Sequence, residues 1–293
     1  MDPQAIDRHT IDSGRLSATI KADGAELCSL RAADGTELLW QAGPEWPRHA
    51  PVLFPIVGRL TDDRLLHGGT AYRMTQHGFA RDRRFAWEEA GPASCRLSLA
   101  DDAETRARYP FAFRLELAFE VERDSLTVRH RLTNPGTEIL PASLGAHPAF
   151  RWPLADGVAK EAHELLFEKD EPAPIRRVEG GLLSPAAEPS PIRGRRLPLS
   201  EGLFAADAVI LDRPASRSVR YGAPGAPSVT VSWEGFTELG VWSKPDGAPF
   251  LCIEPWHGHA SPAGFDGPFV GKPGLMHLAP GEVRELSYRV AVG

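Results

Sequence analysis

The sequence predicts an all-β chain, a large antiparallel β-sandwich folded as one domain over residues 1–293, with its core between about 15 and 290. Three observations carry this expectation. Apolar residues alternate with charged ones in segments of strand length, the period-two signature of a half-buried strand. Turn signals recur roughly every ten residues. The 28 glycines and 27 prolines follow no short period, so they mark many tight turns and many short strands. No strand–helix alternation, internal repeat or interdomain linker interrupts the pattern.

Taken in order, residues 1–12 look like a loose lead-in. Arg15–Lys21 alternates weakly, and Asp23-Gly24 and Asp34-Gly35 punctuate the strands around 25–30 and 37–40 as hairpins. Residues 41–69 hold Pro44, Pro47, Pro51 and Pro55, a long irregular connection of the kind that carries function in β domains. Residues 83–90 and 94–99 read as a hairpin around Gly91-Pro92, and residues 101–109 as one or two helical turns stopped by Pro110. The clearest strand follows: Phe113, Leu115, Leu117, Phe119 and Val121 alternate with Arg114, Glu116 and Glu120. Leu126, Val128, His130 and Leu132 alternate again before the Asn134-Pro135-Gly136 turn. Residues 139–144 lead into Gly145-Ala146-His147-Pro148. Residues 153–200 are the least regular, with short strands and an arginine-rich, solvated face. Short strands are expected at 208–211, 229–233, 239–242, 250–253 and 284–290.

Composition limits the function classes. A net charge of -6 gives no support for a nucleic-acid or membrane-surface partner. Cys28, Cys95 and Cys252 are widely spaced, odd in number and without a C-x-x-C pair, so each is expected to fill a buried strand position in a reducing compartment. The polar, acidic N-terminus is unlike a signal peptide, and no apolar run approaches the ~18 residues of a membrane span. A cytoplasmic protein, monomeric or homodimeric, is expected.

Three segments hold residues that packing does not call for. The first, Q-H-G-F-A-R-D, offers His77, Phe79 and Arg81; a functional histidine and a surface turn with an Arg81–Asp82 pair are both open readings. In the second, G-A-H-P-A-F, His147 ends a strand and is pushed extended by Pro148. It is either a hydrogen-bonded structural histidine or a general acid, since imidazole changes charge nearest neutrality. In the third, C-I-E-P-W, strand alternation puts Leu251 and Ile253 on one face and Cys252 and Glu254 on the other. A carboxylate at the end of a buried strand costs several kcal/mol if ionised and unpaired. Glu254 is therefore paired, with Arg59 as one candidate, or protonated, or a functional base with a raised pKa. Asp207 caps a turn or accepts ligand hydroxyls. Trp242, Trp256, Phe79 and Phe150 offer flat apolar faces, although most aromatics of a β domain are core. His257-Gly258-His259 lacks a third ligand at zinc spacing, and no phosphate loop or serine-nucleophile elbow is present.

With these residues in place, the chain resembles the aldose 1-epimerase (galactose mutarotase) superfamily, in its bacterial LacX-like branch. The resemblance rests on P-V-L-F-P-I-V-G-R-L with Arg59, Q-H-G-F-A-R-D with His77, G-A-H-P-A-F with His147, L-F-A-A-D-A-V-I-L with Asp207, and C-I-E-P-W-H-G with Glu254. It implies a galactose mutarotase-like supersandwich and anomer interconversion of a hexose without metal or other cofactor. Glu254 would take the anomeric proton, His147 would protonate the ring oxygen and His77 would bind nearby. Arg59 and Asp207 would hold hydroxyls; the flat faces of Phe79 and Trp256, read from the residues themselves, suit stacking against sugar C–H bonds. The chain departs from the classical N-x-x-N-x-L-H-G-G context of the first histidine, so a galactose preference does not carry over. Arg81 fits the H-G-x-x-R pattern of relatives acting on hexose 6-phosphates, which makes a phosphosugar the alternative substrate. A non-catalytic sugar sensor is the alternative of another class.

Overall fold

The computed structural model describes residues 6–245 and 247–293. It is almost entirely β, and its strand pairings within sheets are antiparallel among the described residues. A nine-stranded sheet forms one layer; at its centre Ser125–Thr133 pairs with Arg114–Glu122 on one side and Val283–Val292 on the other. The alternation read from the sequence sets the faces of these strands. Leu115, Leu117, Phe119, Val128 and Leu286 point into the main apolar cluster. Arg129 and Arg131 point outward to Glu120 and Glu116.

A six-stranded sheet supplies the second layer and the site. Phe250–His257 is its central strand, flanked by Glu238–Trp242 on one side and by Leu144–Ala146 and Ala149–Arg151 on the other. Leu251 and Ile253 join the main cluster that the nine-stranded sheet also fills, while Cys252 and Glu254 face the opposite way. Val52–Leu53 and Val209–Leu211 close the two edges of this sheet.

The lead-in expected at residues 1–12 is a strand over much of its length. Arg8–Asp12 pairs with Leu16–Lys21, and residues 1–5 lie outside the described residues. Its weak alternation hid it: as an edge strand it buries only Ile11. The helical turn arrived as expected, at Ala103–Arg106, capped by Asp102 and Thr105 in a reciprocal box. Cys28, Cys95 and Cys252 are all free and buried.

Candidate active site

One register places the two central side chains together. Gly145 pairs with Trp256 and Ala149 with Cys252 across the same antiparallel strands. His147, midway between, therefore falls opposite Glu254, as cross-strand neighbours do. His147 Nε2 lies 3.0 Å from Glu254 Oε2, with the two side chains 8% and 1% exposed. The contact is close but not aligned as a hydrogen bond, so Glu254 Oε2 stays without a hydrogen-bond partner; His147 Nδ1, on the other side of the ring, has none either.

Both groups line a cavity of about 320 Å³, the size of a small-molecule site. Its apolar wall is Val57, Val178, Ile210, Trp242 and Trp256; its polar wall includes Gln76, His77, Arg81 and Asp207. Trp256 lies in a slot between two glycines. A Cβ on Gly240 would sit 2.5 Å from its ring, and one on Gly145 would sit 2.7 Å from it. Trp46 covers the other side. Its indole stacks on the His147 ring, with centroids 5.0 Å apart and planes at 27°, and meets Trp242 edge-on. The segment bearing Trp46 is held by backbone bonds from His49 and Ala50 to the buried Glu26 carboxylate.

His77 sits in the left-handed region at φ 65°, a conformation that costs a non-glycine residue about 1–2 kcal/mol. Gly58 holds it there from both sides. His77 N–H donates to Gly58 O at 2.8 Å, and Gly58 N–H donates to His77 Nδ1 at 3.1 Å. With Nδ1 accepting, the proton of the neutral ring is on Nε2. Gln76, 3.3 Å from Nε2, must then turn its amide oxygen toward that N–H. Gly78 follows because a Cβ there would come within 2.2 Å of Phe54 O.

Burial pushes the Glu254 carboxyl well above the usual carboxylate range; the Asp207 carboxylate adds to the rise and the Trp256 indole opposes it. Burial pulls the His147 ring down to about 3; its own backbone opposes the fall, and Arg81 and Arg48 deepen it. His77 is also lowered, by burial first and then by the His147, Arg81 and Arg48 charges. The pair therefore holds one proton over a wide pH range, and the dry pocket favours placing it on Glu254 beside a neutral imidazole.

The aldose 1-epimerase family model matches residues 7–289. The chain belongs to the aldose 1-epimerase family. It is 32% identical over 288 residues to the plasmid and chromosomal LacX proteins of Lactococcus lactis subsp. lactis, covering 94% of this chain and 96% of theirs. A galactose mutarotase related enzyme from Lactobacillus acidophilus superposes with a TM-score of 0.90 at 31% identity, covering 98% of this chain and 97% of that one. A galactose mutarotase-like protein from Lactobacillus casei gives 0.91 at 31% identity, covering 98% and 100%. The β-sandwich is thus of the galactose mutarotase type, and its family supports a carbohydrate epimerase function.

Of the residues singled out from the sequence of this aldose 1-epimerase family member, Glu254, His147, His77, Asp207, Arg81 and Trp256 line the same cavity. Arg59 and Phe79 do not. Arg59 turns away to form a two-pronged pair with Asp63, at 2.9 and 3.0 Å, so it is not the Glu254 partner. Phe79 is 3% exposed and packs edge-on against Phe54 in the core; Phe150 is likewise buried. Both rings lie on faces that close the sandwich, which a count of nearby aromatics does not reveal. His257 and His259 each bond a backbone carbonyl through Nδ1. Trp46 is the residue that sequence reasoning passed over. Its only signal was a tryptophan between Pro44 and Pro47 in the long irregular connection.

Proposed function

We propose that this chain is a mutarotase interconverting the α and β anomers of a free hexose by acid/base ring opening. One observation carries the reading: a carboxylate and an imidazole 3.0 Å apart at the wall of a monosaccharide-sized cavity. The anomeric hydroxyl oxygen and the ring oxygen share one carbon, so the groups that serve them must also be close neighbours. Glu254 takes the hydroxyl proton while His147 gives a proton to the ring oxygen, and the C1–O5 bond opens to an aldehyde. C1 then rotates. On closure His147 regains its proton from the hydroxyl at C5, and Glu254 returns one to the oxygen on C1, now on the other face.

The pair keeps its charge through the cycle and only moves its proton. After ring opening Glu254 is protonated and His147 neutral, which is the form the dry pocket favours by itself. The environment is therefore matched to the open-chain intermediate rather than to the closed sugar. His77 offers its Nε2–H, shared with the Gln76 amide, to the ring oxygen or a neighbouring hydroxyl. Asp207 accepts from hydroxyls at the rim, and the indoles of Trp46 and Trp256 face sugar C–H bonds.

The hexose 6-phosphate reading asks for a cation free to meet a phosphate. Here Arg59 is engaged by Asp63 and Arg48 by Asp82, so that reading rests on Arg81, which lines the cavity, gives Nη2 to Gln76 O and keeps Nε without a hydrogen-bond partner. Polarimetry or exchange NMR with α-glucose, α-galactose and glucose 6-phosphate tests the assignment. Acceleration of a free aldose above that of the phosphate supports it. Preference for the phosphate replaces the substrate class, and binding without acceleration makes the chain a sugar sensor.

A further inference from the structure

Cys252 stands beside the proton-transfer pair and has no part in the proposed reaction. Its Sγ, one His147 ring nitrogen and one Glu254 carboxylate oxygen all lie within 4.8 Å of one another. The strand register requires this grouping. Cys252 and Glu254 are two apart on one face of Phe250–His257, and His147 stands opposite on the neighbouring strand. All three residues are buried. On these two side chains, which both line the cavity, Glu254 Oε2 and His147 Nδ1 have no hydrogen-bond partner, and His147 Nε2 faces Glu254 Oε2 at 3.0 Å.

We propose that His147, Cys252 and Glu254 form a binding site for a soft divalent cation of the zinc type, whose occupancy blocks the acid/base pair. The donor set is one nitrogen, one sulfur and one oxygen, which suits zinc and not the all-oxygen preference of magnesium or calcium. The charges balance. A dication replaces the thiol proton and the single proton of the Glu254–His147 pair, and two protons leave for solvent. The product of one thiolate, one carboxylate, one neutral imidazole and one dication has zero net charge. A neutral cluster is what a dry pocket holds at least cost. Three protein donors leave a fourth tetrahedral corner, for water or a sugar hydroxyl. The cation would compete with turnover, because it takes the lone pairs that move protons.

Co2+ is the probe, since thiolate ligation gives it a charge-transfer band in the near ultraviolet. Titration of the full chain is expected to raise that band to one Co2+ per chain, and Zn2+ is expected to abolish it. Cys252→Ser should remove the band and weaken Zn2+ binding by on the order of 10-fold or more. Cys252→Ala, checked for native circular dichroism, guards against a serine variant that misfolds. No band with wild type, or a band that survives in both variants, overturns the site. This readout needs no sugar chemistry. A chain inactive when metal-free that shows the band on Co2+ addition refutes the mutarotase reading alone, and a metal-free chain that is active but gives no band with Co2+ refutes the cation site alone.

Discussion

His147 and Glu254 face each other across neighbouring antiparallel strands with Nε2 and Oε2 3.0 Å apart, yet they lie 107 residues apart in the chain. The register that pairs Gly145 with Trp256 and Ala149 with Cys252 sets that meeting. Burial then decides where the pair keeps its proton.

The pH dependence follows from those shifts. His147 is pulled down to about 3 and Glu254 is pushed up, so the pair carries one proton between the two values. The rate kcat/KM, corrected for spontaneous mutarotation, is expected to stay level from about pH 4 up to the raised Glu254 value. It should fall below about pH 3, where the pair takes up a second proton, and again on the alkaline side of the raised Glu254 value, where the pair loses its shared proton. A decline centred near the ordinary histidine value would show that the pair is not dry.

Trp46 shields one face of His147. Trp46→Ala removes a stack worth about 0.5–1.5 kcal/mol and admits water to the ring. The acid limb of the rate profile should move up toward the ordinary histidine value, and kcat/KM should fall by about 10-fold. Trp46→Phe should restore most of both. A pH profile unchanged in the alanine variant would reduce Trp46 to packing.

Arg59 and Phe79 are expected to matter for different reasons from those their segments suggest. The Arg59–Asp63 pair is surface-exposed, with the arginine side chain 43% exposed, and such pairs contribute about 0–1 kcal/mol. Arg59→Ala should leave KM for the sugar within error. Phe79→Ala empties a buried ring position and should cost about 3–5 kcal/mol of stability. Sugar titration and thermal denaturation of the two variants separate these outcomes.

His130 lies in the core between Phe236 and Tyr288, and burial lowers it to about 4. Its folded value lies below its unfolded value, so the unfolded chain binds the extra proton as pH falls below the ordinary histidine range. Stability is lost from there down to about pH 4, by on the order of 3 kcal/mol, and is constant above it. His130→Leu should flatten this acid dependence in urea denaturation.

Much of the fold was legible because period-two alternation is a local signal: Phe113–Val121 and Leu126–Leu132 declare their faces in the sequence. Arg8–Asp12 was not legible, since an edge strand buries too little to alternate. At the site, Glu254 stood out because a carboxylate ended an apolar run. Its neighbour was less evident, because register between distant strands is a long-range property. Trp46 and Phe79 show the same limit from opposite sides. Each is an aromatic near a suggestive motif, and only tertiary packing decides that Trp46 meets the cavity and Phe79 the core.

Polarimetry of α-glucose and α-galactose with Glu254→Gln against wild type decides whether this carboxylate is the base. The substitution keeps the shape of the side chain and removes the base. The variant's kcat is expected to fall by on the order of 10²–10⁴ with thermal stability little changed. A variant that turns over either sugar at the wild-type rate would contradict that role.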